Sequence, residues 1–331
     1  MRYVPEHPRI VRGDSVHQTV EEELESNKQE MESELFAESA EAKFLVPVVE
    51  HFVETEQVRK IKNRVKMWLN AGFPPHIVGP TGCGKTTLAM QVAKELGRPI
   101  TWINGDELVV TTDLIGGYSG TEVESVRDRF IHSVMIARDR TILKWIDNPL
   151  TLACKYGWTL VYNEFSRTKP EANNVLLSVL EEGILELPTK IGSDRYVEVH
   201  PNFNAIFTSN SIEYAGVHRP QDALLDRMVD IYVDYYDFET EVKIVQKHTN
   251  ISSFEAEKVV KLVRRLRDEL PEPEKTGTRA ELMICHGLKV LGTYSEEDFE
   301  QICMDVLGSK IGGFESYNER CTLIKKMIHT E

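Results

Sequence analysis

The stretch GPTGCGKTTLAM, Gly79 to Met90, decides the reading of this chain. It follows the apolar run PHIV (75–78) and opens a helical pattern that ends near Gly97. Gly79, Gly82, Gly84, Lys85 and Thr86 stand in the spacing G-x-x-x-x-G-K-T. A strand, a glycine loop and a helix in that order place successive backbone N–H groups around one point, with the positive end of the helix behind them. Such a loop cradles an anion, and its Lys and Thr suit a nucleotide's terminal phosphates and their Mg²⁺. Gly79, Pro80, Thr81, Gly82, Cys83, Gly84, Lys85, Thr86 and Thr87 are therefore the candidate nucleotide-binding residues, with Thr86 also a candidate Mg²⁺ ligand. Cys83 occupies a variable position of the loop and reads as filler exposed to oxidation.

Working outward, further apolar runs read as strands at 99–103, 159–163, 204–209 and 228–233. Helical patterns lie between most of them, which predicts a parallel sheet of five strands covered by helices. Upstream, Val58, Ile61, Val65, Trp68 and Leu69 share one helical face, and Gly72 stops that helix. Beyond 239 the pattern turns helical over 239–249, 253–269, 279–291, 295–308 and 315–329, with Ser252 or Ser253, Thr278 and Ser295 as caps. The expected organisation is an arm (1–45), an α/β nucleotide-binding domain (46–236) and a small helical lid domain (237–331). The arm is set apart by HQTVEEELESNKQEMESELFAESAEAK (17–43), with nine Glu and two Lys. It has too few apolar residues to bury much surface.

The 331 residues carry a formal charge of −14 and 41% hydrophobic residues. That charge argues against a protein that neutralises nucleic-acid phosphates. No apolar run reaches the roughly 18 residues needed to span a bilayer, and the first residues lack a signal-peptide core. The five scattered cysteines form no C-x-x-C pair and read as reduced thiols of a cytoplasmic protein.

The apolar strand LVYNEF (160–165) ends in Asn163 and Glu164. Glu164 is placed to orient or deprotonate an attacking water. Asn163 stands where an Asp ordinarily supports Mg²⁺; it keeps an acceptor oxygen but loses the charge that this hard cation favours. Asn210 follows the fourth strand at the sheet's carboxyl end, where ligands bind. Arg227 in ALLDRM (223–228) has two readings, a surface salt bridge or a residue reaching a neighbouring subunit's nucleotide. Arg279 begins a C-terminal helix and could approach the nucleotide from above.

In this order the motifs resemble the AAA+ ATPases, with Asn210 as sensor 1, Arg227 as arginine finger and Arg279 as sensor 2. NEFSRTKPEANNVLLSVLEEGILELP (163–188) resembles the MoxR branch, in which Arg167 matches a common arginine and LELPTKIGSDRYVEV (185–199) would be a β-hairpin turning at GSD. NGDELVVTTDLIGGYSG (104–120), WIDNPLTLACKYGWTLVYNEF (145–165) and EVHPNFNAIFTSNSIEYAGVHRPQDALLDRM (198–228) are similar to the gas vesicle protein N family. The resemblance implies an ATP hydrolase using Mg²⁺, active as a hexameric ring, chaperone-like in gas vesicle assembly, with vesicle shell and accessory proteins as partners and a cytoplasmic or vesicle-associated location. LIGGYSG (114–120) is either a substrate loop with Tyr118 as an aromatic grip or a plain glycine-rich connector. Two other functions share the same site: a nucleotide-gated scaffold with little turnover, motivated by Asn163, and a MoxR-type chaperone that activates another enzyme.

Overall fold

The computed structural model describes residues 46–131, 134–188, 190, 195–210, 221–270, 275–311 and 316–329. The expected arm (1–45) and the GSD turn (192–194) lie outside them. Five parallel strands form the central sheet: β1 (Pro75–Gly79), β2 (Ile100–Asn104), β5 (Thr159–Asn163), β8 (Asn204–Asn210) and β9 (Val229–Tyr232), in the order β2-β5-β8-β1-β9. The sequence places all five within a residue or two, because each is a short, largely apolar run; the central strands β5, β8 and β1 are buried almost throughout, while β2 and β9 at the edges are only partly so.

Helix α1 (Glu56–Asn70) and helix α2 (Lys85–Glu95) cover one face, burying Val65, Leu88 and Val92 against Ile77, Val161 and Ile206. Thr55 caps α1 by accepting from the Val58 amide, and Gly72 turns the chain away at φ 85°. The other face packs Leu160, Tyr162 and Phe207 against helix α4 (Pro149–Tyr156) and the 3-10 turn Phe165–Arg167. A side-chain tie, buried at Ser209 and His76 and reaching the surface at Asp230, also runs across β8, β1 and β9. His76 Nδ1 lies 2.7 Å from Asp230 Oδ1, and its Nε2 lies 2.8 Å from Ser209 Oγ.

One expectation fails between β2 and α4. After helix α3 (Thr111–Ile115), the segment read as a glycine-rich loop enters a long antiparallel ribbon, β3 (Gly116–Ile131) paired with β4 (Val134–Asp147). Tyr118 is an early residue of β3, paired with Trp145 and packed edge-on at 5.2 Å between ring centroids. The ribbon escapes a periodicity search because GTEVESVRDRFI mixes charged and apolar residues without clean alternation. The expected hairpin at 185–199 appears as β6 (Ile184–Glu186) paired with β7 (Tyr196–Glu198), after α5 (Pro170–Asn173) and α6 (Val175–Glu181).

Helix α7 (Asp222–Leu225) precedes β9, and among the described residues five helices follow it: α8 (Phe238–Thr249), α9 (Ser253–Glu269), α10 (Thr278–Leu291), α11 (Glu296–Leu307) and α12 (Tyr317–His329). Ser252 and Ser295 both form capping boxes, with Glu255 and Asp298. Gly277 rather than Thr278 takes the N-cap position of α10, so Thr278 is its first residue. This bundle has its own core around Val259, Val263, Ile284, Leu288 and Phe299. All five cysteines are free, and only Cys321 is not fully buried. Among the described residues, no helix is long and apolar enough to cross a membrane.

The bundle also contains a buried ionic cluster. Glu241 on α8 accepts from Arg264 at 2.7 Å and from Arg267 at 2.8 Å, both on α9. Glu281 on α10 has only a 3.3 Å contact with Arg267, and its second oxygen is buried without a partner. Glu241 thus takes most of the positive charge. Burial, then the Glu241 charge, push the Glu281 carboxyl up to about 8.

Between the ordinary carboxylate range and about pH 8, folded Glu281 therefore holds a proton that the unfolded chain has released. Its contribution to stability falls as pH rises through that window. Glu281→Gln is expected to flatten the fall, leaving the variant less destabilised between pH 5.5 and pH 8.5 by about 1 kcal/mol or more. Urea unfolding at the two pH values measures the difference.

Candidate functional site

The glycine loop lies between β1 and α2, pressed against the chain leaving β9. A side chain at Gly79 would put its Cβ 1.9 Å from the Val233 carbonyl oxygen, so only glycine fits there. Gly82 and Gly84 adopt φ of 83° and 86°, a region that side chains disfavour. Cys83 Sγ lies 3.5 Å from the Val233 carbonyl oxygen and is 1% exposed. Burial pushes its thiol pKa up, so the expected oxidation liability is absent: reactivity needs an accessible thiolate.

Lys85 turns back into its own loop. Its ammonium donates to the carbonyls of Gly79 at 3.0 Å and Pro80 at 2.7 Å, and to Asn210 Oδ1 at 2.9 Å. Burial lowers its pKa, with Arg279 adding a smaller push in the same direction. Asn210 Nδ2 in turn donates to Glu164 Oε2 at 2.7 Å. Lys85, Asn210 and Glu164, widely separated in sequence, thereby form one hydrogen-bonded chain. Glu164 sits just past β5 at φ 52°, which turns the chain off the strand. Gly105 lets this turn pack closely, since a Cβ there would lie 2.2 Å from the Glu164 carbonyl oxygen.

Asn163 is held on every side. Its Oδ1 accepts from Thr86 Oγ1 at 2.7 Å and from Thr208 Oγ1 at 2.9 Å, and its Nδ2 donates to Asn104 Oδ1 at 2.7 Å. Thr208 also accepts from the Glu164 amide at 3.3 Å. Sequence reasoning missed Thr208, Asn104 and Gly105. Their only signal is position at the carboxyl end of a strand, which no short motif records.

The two arginines differ in placement. Arg279, the second residue of α10, lies beside the loop, where a Cβ on Gly82 would lie 3.3 Å from Gly277 Cα and 3.9 Å from Arg279 Cβ. Arg227 is not brought to its own chain's loop. Its guanidinium bonds to the Glu181 carboxylate and the Ala223 carbonyl, and its Nε is buried without a partner. Arg167 ends the 3-10 turn and is exposed.

A cavity continues from Gly82, Gly84 and Thr87 into the space between sheet and bundle. Phe52, Val53, Val58, Ile244 and Leu282 line its far part, together with His248. None of these belonged to the sequence-derived site. The arrangement fits a nucleotide: a backbone cradle with a buried cation at one end and an apolar slot at the other. Among the described residues, no group of three or more His, Cys, Asp or Glu could hold a metal ion. A Mg²⁺ here would therefore rest on Thr86, Asn163 and phosphate oxygens, with water completing its shell.

Replacing Asn163 tests this packing. Asn163→Leu strands the buried Thr208 hydroxyl and frees Thr86, and is expected to cost about 1–3 kcal/mol in thermal or urea unfolding. Asn163→Asp keeps the acceptor for both hydroxyls and requires only that the Asn104 amide turn over, so its stability should stay within about 1 kcal/mol of wild type.

Comparison with known proteins matches residues 76–228 to the AAA domain (dynein-related subfamily). The chain is 52% identical over 275 residues to "Gas vesicle ATPase GvpN" of Haloferax mediterranei, covering 83% of this chain and 79% of the relative. It is 53% identical over 267 residues to "Gas vesicle ATPase GvpN1" of Halobacterium salinarum, covering 80% and 76%. "Protein CbbQ" of Hydrogenophilus thermoluteolus is a more distant relative, 26% identical over 196 residues that cover 59% of this chain and 66% of that protein. With half its residues identical across four-fifths of its length, the chain belongs to the gas vesicle ATPase GvpN family of AAA-domain P-loop ATPases.

Proposed function

We propose that this protein spends ATP hydrolysis on gas vesicle formation, acting as a ring-forming, chaperone-like factor on vesicle shell or accessory proteins. The observation that carries the catalytic part is the chain of hydrogen bonds from Lys85 through Asn210 to Glu164, set around the glycine-loop cradle. The kinship with proteins named gas vesicle ATPases supports the setting. Protein CbbQ shares the core at 26% identity, so the site residues alone do not choose the client.

In this reading the loop Gly79–Thr87 grips the phosphates through its backbone, and Lys85 exchanges its carbonyl partners for phosphate oxygens. Mg²⁺ held beside Thr86 and Asn163 would offset charge on the phosphates. Glu164 draws the proton from the attacking water, and Asn210 fixes the carboxylate that does so. Arg279 brings positive charge down from α10, making residues 237–331 a lid over the nucleotide. Arg227 lies away from its own loop and so serves a neighbouring copy, where it stabilises charge on the transferred phosphoryl group. A ring of copies, a hexamer by analogy with AAA+ proteins generally, completes each site at a subunit boundary. Asn163 sets the rate through weaker metal support rather than abolishing turnover.

Steady-state ATP hydrolysis decides the catalytic assignments. Glu164→Gln is expected to bind ATP and lose turnover, and Arg227→Ala to retain binding and lose roughly 10³-fold in rate. Mixing the two inactive variants should restore part of the activity, because some boundaries then pair an intact Glu164 with an intact Arg227. Mixtures that remain inactive would place Arg227 outside the neighbour's site. A wild type that binds ATP without turnover, alone and with vesicle proteins, would favour the scaffold reading. Co-purification of the tagged protein with an unrelated enzyme instead of vesicle proteins would favour a chaperone for that enzyme.

A further inference from the structure

One buried hydroxyl at the carboxyl edge of the sheet belongs to no motif. Thr208 lies on β8, the strand between β5 and β1, and is 1% exposed. The register of β8 with β5 runs as far as Phe207 and Tyr162. Just past it, the Thr208 hydroxyl takes over the tie between the two strands. It donates to Asn163 Oδ1 at 2.9 Å and accepts from the Glu164 amide at 3.3 Å. A hydroxyl has one proton to give and lone pairs to receive with, so this side chain uses both functions on the segment that ends β5. Glu164 needs such an anchor. Its φ of 52° is left-handed, a conformation that a residue with a side chain keeps only where its surroundings hold it. The Glu164 carbonyl oxygen accepts from the Arg167 amide at 2.9 Å, and its carboxylate accepts from Asn210 Nδ2 at 2.7 Å. Thr208 and Asn210 are two residues apart on β8 and so share one face of it. One strand therefore holds Glu164 at both ends, the backbone root through Thr208 and the carboxylate tip through Asn210.

We propose that Thr208 is a positioning residue for ATP hydrolysis, its hydroxyl fixing the turn from which the Glu164 carboxylate reaches the attacking water. This rests on the reading of Glu164 as the group that takes the proton from that water. A general base must lie within hydrogen-bond reach of the proton it removes, and a displacement of about 1 Å can cost roughly a hundredfold in rate. Without the Thr208 hydroxyl, the Glu164 amide loses its acceptor, and a buried donor left unpaired is costly. The turn then relieves that cost by shifting, and the carboxylate moves with its backbone. Nucleotide binding is affected much less. The backbone cradle and Lys85 belong to the loop after β1 and to α2, and Asn163 keeps its bonds to Thr86 and Asn104. Thr208 therefore acts on the rate of the bound complex rather than on its formation.

The test is steady-state kcat and KM for Mg·ATP, with ATP affinity by calorimetry, on the full-length protein and its Thr208 variants. Thr208→Val preserves the shape and removes the hydroxyl. Its kcat should fall about ten- to a hundredfold while KM and ATP affinity stay within about threefold of wild type. Thr208→Ser keeps the hydroxyl and should retain most of the wild-type kcat. A merely structural role would lower stability without dividing kcat from KM in this way. In a Glu164→Gln background, Thr208→Val should cost no further rate, because the side chain that it aims no longer takes a proton. Thr208→Val with wild-type kcat, or with a loss confined to KM, overturns the proposal, as does an undiminished further loss in the Glu164→Gln background. If Thr208→Val fails to fold, Thr208→Ala and Thr208→Ser replace it, since both lack the methyl and differ only by the hydroxyl; equal kcat in those two overturns the proposal. A Glu164→Gln protein with wild-type turnover defeats the reading of Glu164 beneath it. An inactive Glu164→Gln beside a fully active Thr208→Val defeats this assignment alone.

Discussion

The structure turns on one buried ammonium. Lys85 is 6% exposed, and burying a charge is costly unless it is surrounded by acceptors. Its acceptors come from the end of β1 and the loop after it, through Gly79 and Pro80, and from β8 through Asn210. Asn210 passes the connection to Glu164 at the end of β5, and Asn163 joins the same strand to Thr86 on α2 and Asn104 on β2. Parallel strands bring their carboxyl ends to one edge of a sheet, and here side-chain amides tie those ends together. Most of these ties are neutral, so among the described residues Glu164 is the carboxylate bonded into the network that Lys85 anchors.

The bundle is fixed to this edge by charge and stacking as well as by apolar packing. Arg267 donates to the Thr276 carbonyl at 2.8 Å just ahead of α10, and its guanidinium lies 4.0 Å from the Tyr235 ring centroid on the connection after β9. Arg264 donates to the Tyr236 carbonyl at 2.9 Å on the same connection. Two arginines of one helix thus hold both the linker and the approach to Arg279. The pairs these arginines also make with the buried Glu241 add little net stability against an apolar alternative, but losing one partner is severe. Their evident effect is to fix where α10 stands above the glycine loop.

The sheet and the cradle were legible in the sequence for physical reasons. Strands of a covered parallel sheet carry short, mostly apolar runs, and a phosphate loop needs glycines where its backbone reverses. The β3–β4 ribbon was not legible, because neither strand shows the clean alternation of a half-buried strand. Thr208 and Asn104 were equally silent, since a single polar residue at a strand end has no pattern until the strand order is known. Arg227 and Arg279 could be named from family order, yet only the structure separates them, one beside its own loop and the other bonded to Glu181. The cavity's far wall is drawn from α1, α8, α10 and the segment before α1, a combination that no local reading assembles.

Strand order has a consequence for how the chain comes to be folded. The strand that feeds the glycine loop, β1, pairs only with β8 and β9, whose residues begin at Asn204 and Val229. During synthesis, some 125 residues must follow Gly79 before its first pairing partner exists. Until then both edges of β1 stand open, exposing the apolar sequence PHIVG to whatever else can add a strand. The β3–β4 ribbon has no such delay, since its pairing is local and closes as it emerges. Nascent chains stalled before Asn204 should therefore hold a formed ribbon beside an unpaired β1, and be correspondingly prone to misassociation on the ribosome.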